Sequence, residues 1–89
     1  MKSILTVIGK DQVGIIAGIS NELSKYNINI LNVNQTIMDG YFTMMMMLDQ
    51  SSSNTSFEDV KAGLDAKGKE LKVEVKIQRE DIFNSMHSL

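Results

Sequence analysis

Cysteine is absent from this chain. Disulfides, thiolate metal sites and cysteine nucleophiles are therefore excluded, and cysteine usage leaves the redox compartment open. Histidine occurs once, as His87 near the end of the sequence, where fraying is expected. That position suits neither a general base nor a metal ligand, and zinc would require several Cys or His ligands. Arginine also occurs once, as Arg79, and the eight lysines are scattered. A formal net charge of −2 gives no general attraction to nucleic acid or to an anionic membrane. No stretch approaches the ~18 apolar residues needed to span a bilayer. The apolar run after Lys2 is ended by Lys10 and Asp11, too early for a signal peptide. A cytoplasmic domain is the expectation.

What is present is an ordinary globular mixture. Hydrophobic residues make up 43% and charged residues 22% of the 89, which argues against disorder. This length supports one domain over residues 1–89, with a core at 2–79 and a tail at 80–89.

The first strand is predicted at residues 4–8, Ile-Leu-Thr-Val-Ile, apolar enough for a central strand buried on both faces. After the loop Gly9-Lys10-Asp11-Gln12-Val13-Gly14 the period changes. Ile15, Ile16, Ile19, Leu23 and Tyr26 recur at helical spacing, and Asn27 is a plausible stop because Asn tolerates the left-handed conformation. Residues 28–38 and 41–49 both look like strands. Between them, Asp39-Gly40 signals a two-residue hairpin with positive φ at both positions. A serine-rich loop at 50–54 precedes two overlapping capping boxes, Thr55 with Glu58 and Ser56 with Asp59. The helix that follows carries Phe57, Val60 and Leu64 on its apolar face and is expected to end at Gly68. Leu71, Val73, Val75 and Ile77 alternate with polar residues, as in a half-buried edge strand. In the tail, Ile82, Phe83 and Met86 would share one side of a short helix.

The order β-α-β-β-α-β predicts an α+β, ferredoxin-like sandwich. A four-stranded antiparallel sheet of order 4-1-3-2 would carry both helices on one face. In the third strand, Phe42, Met44, Met46 and Leu48 fall on one side and Tyr41, Met45 and Met47 on the other. Leaving the second set wet would forgo roughly 1.5–3 kcal/mol of burial per side chain. Either the tail folds over them, or a homodimer forms face to face or through the edge of the second strand. The methionines read as core or interface filling, because methionine packs adaptably, rather than as a thioether metal site.

Catalytic constellations are scarce, and no nucleophile–histidine pair, cofactor motif or metal cluster is apparent. Related tasks of this topology also lack their residues. An acylphosphatase needs an arginine in the loop after strand one, a metal carrier needs Cys-x-x-Cys there, and an RNA-recognition motif needs aromatics on both central strands. The chemistry concentrates instead at the first loop, where a strand leads through glycine into a helix start. Backbone N–H groups there lack intrahelical partners and, with the helix dipole, favour a small anion such as a carboxylate. Asp11 reads either as a helix-start cap or as an acceptor for an ammonium group. Asn29, Asn32 and Asn34 read either as edge-strand polarity or, at Asn29, as a ligand contact.

With Asp11-Gln12-Val13-Gly14-Ile15 opening the first helix and Asn27-Ile28-Asn29-Ile30 opening the second strand, the chain resembles an ACT domain over Lys2 to Arg79. It is further similar to the small bacterial ACT proteins related to the glycine-cleavage-system regulator. The resemblance implies a ferredoxin-like, non-enzymatic regulatory module that binds a small amino acid at a homodimer interface and modulates a partner protein. It implies ligand contacts from Asp11, the Gln12-Val13-Gly14-Ile15 backbone and Asn29 of the neighbouring subunit. In serine-binding relatives a neutral amide stands at the Asp11 position. A domain with an empty pocket, recruiting a partner through the strand-two edge or the methionine-rich face, is the alternative.

Overall fold

A computed structural model of the chain describes residues 1–81. Its elements are β1 (Lys2–Lys10), α1 (Ile15–Lys25), β2 (Asn29–Met38), β3 (Tyr41–Asp49), α2 (Phe57–Leu71) and β4 (Glu74–Arg79). The sheet is antiparallel throughout and ordered β2-β3-β1-β4, so the expected ferredoxin-like topology is the one observed. The expected tail helix, with Ile82, Phe83 and Met86, lies outside the described residues, as does His87.

One face of the sheet and the two helices share a single core. Leu5 and Val7 of β1 and Phe42, Met44, Met46 and Leu48 of β3 meet Ile15, Ile19 and Leu23 of α1 and Val60 and Leu64 of α2 there. The opposite face carries Ile8, Tyr41 and Met45, which are exposed, and Ile4, which is only 6% exposed. Strand one is therefore buried on both faces at Ile4 but not at Ile8.

The hairpin behaves as its residues dictate: Asp39 and Gly40 both take positive φ, 52° and 80°, and pair Met38 with Tyr41. At the start of α2 the Ser56 hydroxyl accepts the Asp59 N–H at 3.2 Å, so the second of the two capping boxes closes the helix. Both helices end in paired bonds of the Schellman type around a non-glycine residue with positive φ. In α1, Asn27 (φ 58°) lets the Ile28 N–H reach the Leu23 carbonyl at 3.1 Å. In α2, Lys72 (φ 60°) lets the Val73 N–H reach the Gly68 carbonyl at 2.9 Å.

Two boundaries differ from the sequence expectation. β1 continues through Gly9 and Lys10, which pair with Phe42 and Tyr41, so the loop is shorter than the glycine suggested. α2 runs past Gly68 to Leu71, and Leu71 belongs to the helix rather than to the last strand. Gly68 is a packing site, not a stop. A Cβ there would lie 2.7 Å from Val75 Cγ2 and 3.0 Å from the Val73 carbonyl, so β4 can cross the helix only where no side chain intervenes.

Candidate functional site

The β1–α1 connection is reduced to Asp11–Gly14, held at two points. The Asp11 N–H donates to the Gly40 carbonyl of the hairpin at 2.8 Å. The Gln12 carboxamide donates to the Leu71 carbonyl, one of the groups left without a partner at the end of α2. Gly14 then opens α1 with φ 97°, a conformation that a side chain would disfavour. No side chain caps this helix start, and its first turn holds no acidic residue. The N–H groups of Ile15, Ile16 and Ala17 thus keep the positive end of the dipole unneutralised. A Cβ built at Gly14 meets nothing within 4 Å, so there is open space beside the glycine.

Asp11, Gln12, Val13 and Gly14 are all exposed, Val13 completely. Ile15 is buried in the core, so it has only its backbone to offer a ligand. The cap reading of Asp11 fails, since α1 has no side-chain cap. Gln12 spends its amide on α2, a long-range tie that nothing in its sequence neighbourhood indicated. Asn29 lies past the far end of α1, whose 11 residues at ~1.5 Å each put roughly 16 Å between the two ends. Within one chain, Asp11–Ile15 are brought together and Asn29 is not among them.

Asn29 instead borders a groove of about 510 Å³ at the other end of α1, walled by Ser20 and Ser24 of the helix, Asn27, Asp49 and Ser52. The Asn27 amide donates to the Ser52 carbonyl at 3.0 Å and closes one side. Asp49 pairs with Asn29 in the β2–β3 register and accepts the Ser51 N–H on Oδ1 at 2.9 Å. That bond, with the Ser51 hydroxyl, holds the Asp49 carboxyl below its ordinary range. The Asp-x-Ser turn was readable in the sequence; its position across the sheet from Asn29 was not.

β2 joins these two regions along the sheet edge. It is 10 residues long, exposed at every position except Ile30, and contains no charged residue and no proline. Val33 and Ile37, on the helix side of the sheet, are 44% and 55% exposed because neither helix reaches over them. Edge strands ordinarily carry charges or proline against pairing with another chain. The other edge, β4, does so with Glu74, Lys76 and Arg79. A register shift between Ile30 and Asn32 is the one irregularity of β2.

The model of one domain family, the ACT domain, matches residues 3–78. The chain belongs to the ACT domain family. A UPF0237 protein of Listeria monocytogenes is 62% identical over 89 residues, and the match covers the whole of both chains. An ACT domain protein from Streptococcus pneumoniae superposes with a TM-score of 0.82 at 40% identity, covering 93% of each chain. A protein described as a glycine cleavage system transcriptional repressor shares the fold, with a TM-score of 0.77 at 22% identity over 88% of this chain and 44% of its own. ACT domains are typically regulatory, amino-acid-binding modules. Among the described residues of this one, no helix is long and apolar enough to cross a membrane, and no cluster of three or more His, Cys, Asp or Glu could hold a metal ion.

Proposed function

We propose that this ACT domain is a cytoplasmic regulatory module without catalysis of its own. It binds a small amino acid at the interface of a homodimer and alters the activity of a partner protein in amino-acid metabolism. One observation carries this reading: the loop leading to the uncapped helix start at Gly14 is bonded, through the Asp11 N–H, to the hairpin turn that ends an uncharged, unguarded edge strand.

Antiparallel pairing of β2 with its copy, about a two-fold axis perpendicular to the sheet, satisfies the free edge and keeps both helix layers on one side. Centred on the strand, that pairing sets Asn29 of one copy opposite Met38 of the other, next to the Asp39-Gly40 turn that binds the Asp11 N–H. The loop Asp11-Gln12-Val13-Gly14-Ile15 and the neighbour's Asn29 then form one site. The helix-start N–H groups receive the ligand carboxylate there.

A thermal-shift screen against the twenty amino acids tests this, run beside Asp11→Ala and Asn29→Ala. A ligand at about 100 times its Kd adds roughly 2.7 kcal/mol, a shift of several degrees in a domain of this size. The reading requires a shift with one or a few amino acids that the Asn29 variant loses. The exposed Ile8, Tyr41 and Met45 on the helix-free face favour the second reading, a protein-interaction domain with an empty pocket. It is supported if no amino acid shifts the protein while a defined partner binds and Met45→Lys abolishes that binding.

A further inference from the structure

The helix-free face of the sheet changes character from one end to the other. Its rows cross β4, β1 and β3: Glu74, Ile8 and Thr43 at one end, then Lys76, Thr6 and Met45, then Gln78, Ile4 and Met47. Ile8 is 47% exposed and Met45 46%. Ile4, on the same strand and the same face as Ile8, is 6% exposed, and Met47 is half-buried. Side chains stand upright on a sheet, so neighbours in one row leave the top of an isoleucine open, as they do at Ile8. Both helices pack on the other face. The burial of Ile4 therefore has a source other than α1 and α2. Beside Ile4, a depression of about 240 Å³ extends the floor toward β2, between Met45, Met47, Asn32 and Asn34.

The chain itself leaves the sheet at this end. β4 pairs Gln78 with Ile4 and Arg79 with Ser3, and Glu80 and Asp81 are helical. An ion pair of 3.2 Å between Arg79 and Asp81 spans the turn out of the strand. Residues 82–89 follow, and Ile82, Phe83, Met86 and Leu89 recur at the spacing of one helix face. At ~1.5 Å per residue, a helix begun at Glu80 is roughly 15 Å long by Leu89. β3 lies two strand spacings from β4, about 10 Å, so the segment is long enough to cross β1 and reach it. We propose that residues 82–89 pack on the helix-free face across Ile4 and Met47, apolar side down, and cover this end alone. A cover here bars two copies from pairing sheet to sheet over the whole face. It occupies neither the β2 edge nor the Ile8 and Tyr41 end, so the amino-acid reading and this one stand or fall separately.

The absence of cysteine makes a crosslinking test direct. Cysteine pairs are introduced into the full chain: Met47→Cys with Phe83→Cys or with Met86→Cys, and, as the control, Thr43→Cys with each. Thr43 is on the same face of β3, roughly 13 Å along the strand from Met47, and a disulfide needs its Cα atoms within ~7 Å. Mild oxidation is expected to close a bridge within one chain for at least one Met47 pair and for neither Thr43 pair. The readout is loss of free thiols with the mass of a single chain on a denaturing gel. A bridge between two chains, which would put a second copy's tail on the face, overturns the inference. So does bridging of Thr43 as readily as Met47, or no bridge in either Met47 pair. A second measurement uses Phe83→Leu, which keeps the segment apolar and removes the aromatic ring. The methyl resonances of Ile4 and Met47 are expected to shift as the ring current is lost, and those of Ile8 to stay. Unmoved Ile4 and Met47 methyls overturn the inference even where a disulfide forms.

Discussion

The Tyr26 hydroxyl donates to Glu22 Oε2 one turn back on α1, and Lys25 closes on the other carboxylate oxygen at 3.3 Å. Glu22 is only 6% exposed, a rare setting for a carboxylate, and it is viable because both oxygens are engaged. A Cβ on Gly63 would overlap the Tyr26 hydroxyl, so α2 makes room for this pair where it passes α1. The pair ties the C-terminal half of α1, and with it the groove wall at Ser20 and Ser24, to α2.

Tyr26→Phe is expected to destabilise the domain by about 1–3 kcal/mol, because a buried acceptor loses its donor while the ring is retained. Urea denaturation measures this. Glu22→Gln in the Tyr26→Phe background should cost less than Glu22→Gln alone, which a double-mutant cycle reads directly.

The same pair predicts how stability depends on pH. Burial alone would raise the Glu22 carboxyl, but the Tyr26 hydroxyl and the Lys25 ammonium outweigh it and hold it below its ordinary 4.5. Its contribution is therefore present above about pH 4.5 and is lost as pH falls through the lower native value. Tyr26 is pushed up from 10 to about 12, chiefly by its bond to Glu22 and then by burial. The proton favours the folded state, so that contribution is complete below pH 10 and is lost between 10 and about 12. Denaturation midpoints measured across pH should fall on both sides, and Tyr26→Phe should remove the alkaline fall.

Lys72 holds a positive φ of 60° at the end of α2, where a lysine Cβ is disfavoured. Lys72→Gly is expected to stabilise the domain by about 0.5–1 kcal/mol, seen as a rise of a few degrees in melting temperature. Asn27→Gly should bring no such gain, because it also removes the amide bond to the Ser52 carbonyl.

Val33 stands at the middle of the unguarded edge. Val33→Lys is expected to give a monomer by light scattering with an unchanged far-ultraviolet spectrum, because it puts a charge in the middle of each of the two edges, the device by which natural edges prevent pairing. Lys76→Ala, on the already charged opposite edge, should leave the oligomeric state as it is.

The sequence by itself determined the element order, the hairpin and the first helix end. Each of these depends on local signals: helical or alternating spacing of apolar residues, and Asp39, Gly40 and Asn27, which tolerate positive φ. The glycine at the start of α1 was legible too, and the structure shows that no side chain caps the N–H groups there. Local signals misled only where a long-range contact prevailed. Gly68 reads as a helix stop, but β4 needs it for close packing. Gly9 reads as loop, yet its hydrogen bonds belong to β3. Tertiary structure alone decided that Gln12 is spent on Leu71, that Glu22 is buried against α2, and that Asp49 stands beside Asn29. These are contacts between residues distant in the chain, and no spacing rule reports a neighbour that only the folded sheet supplies.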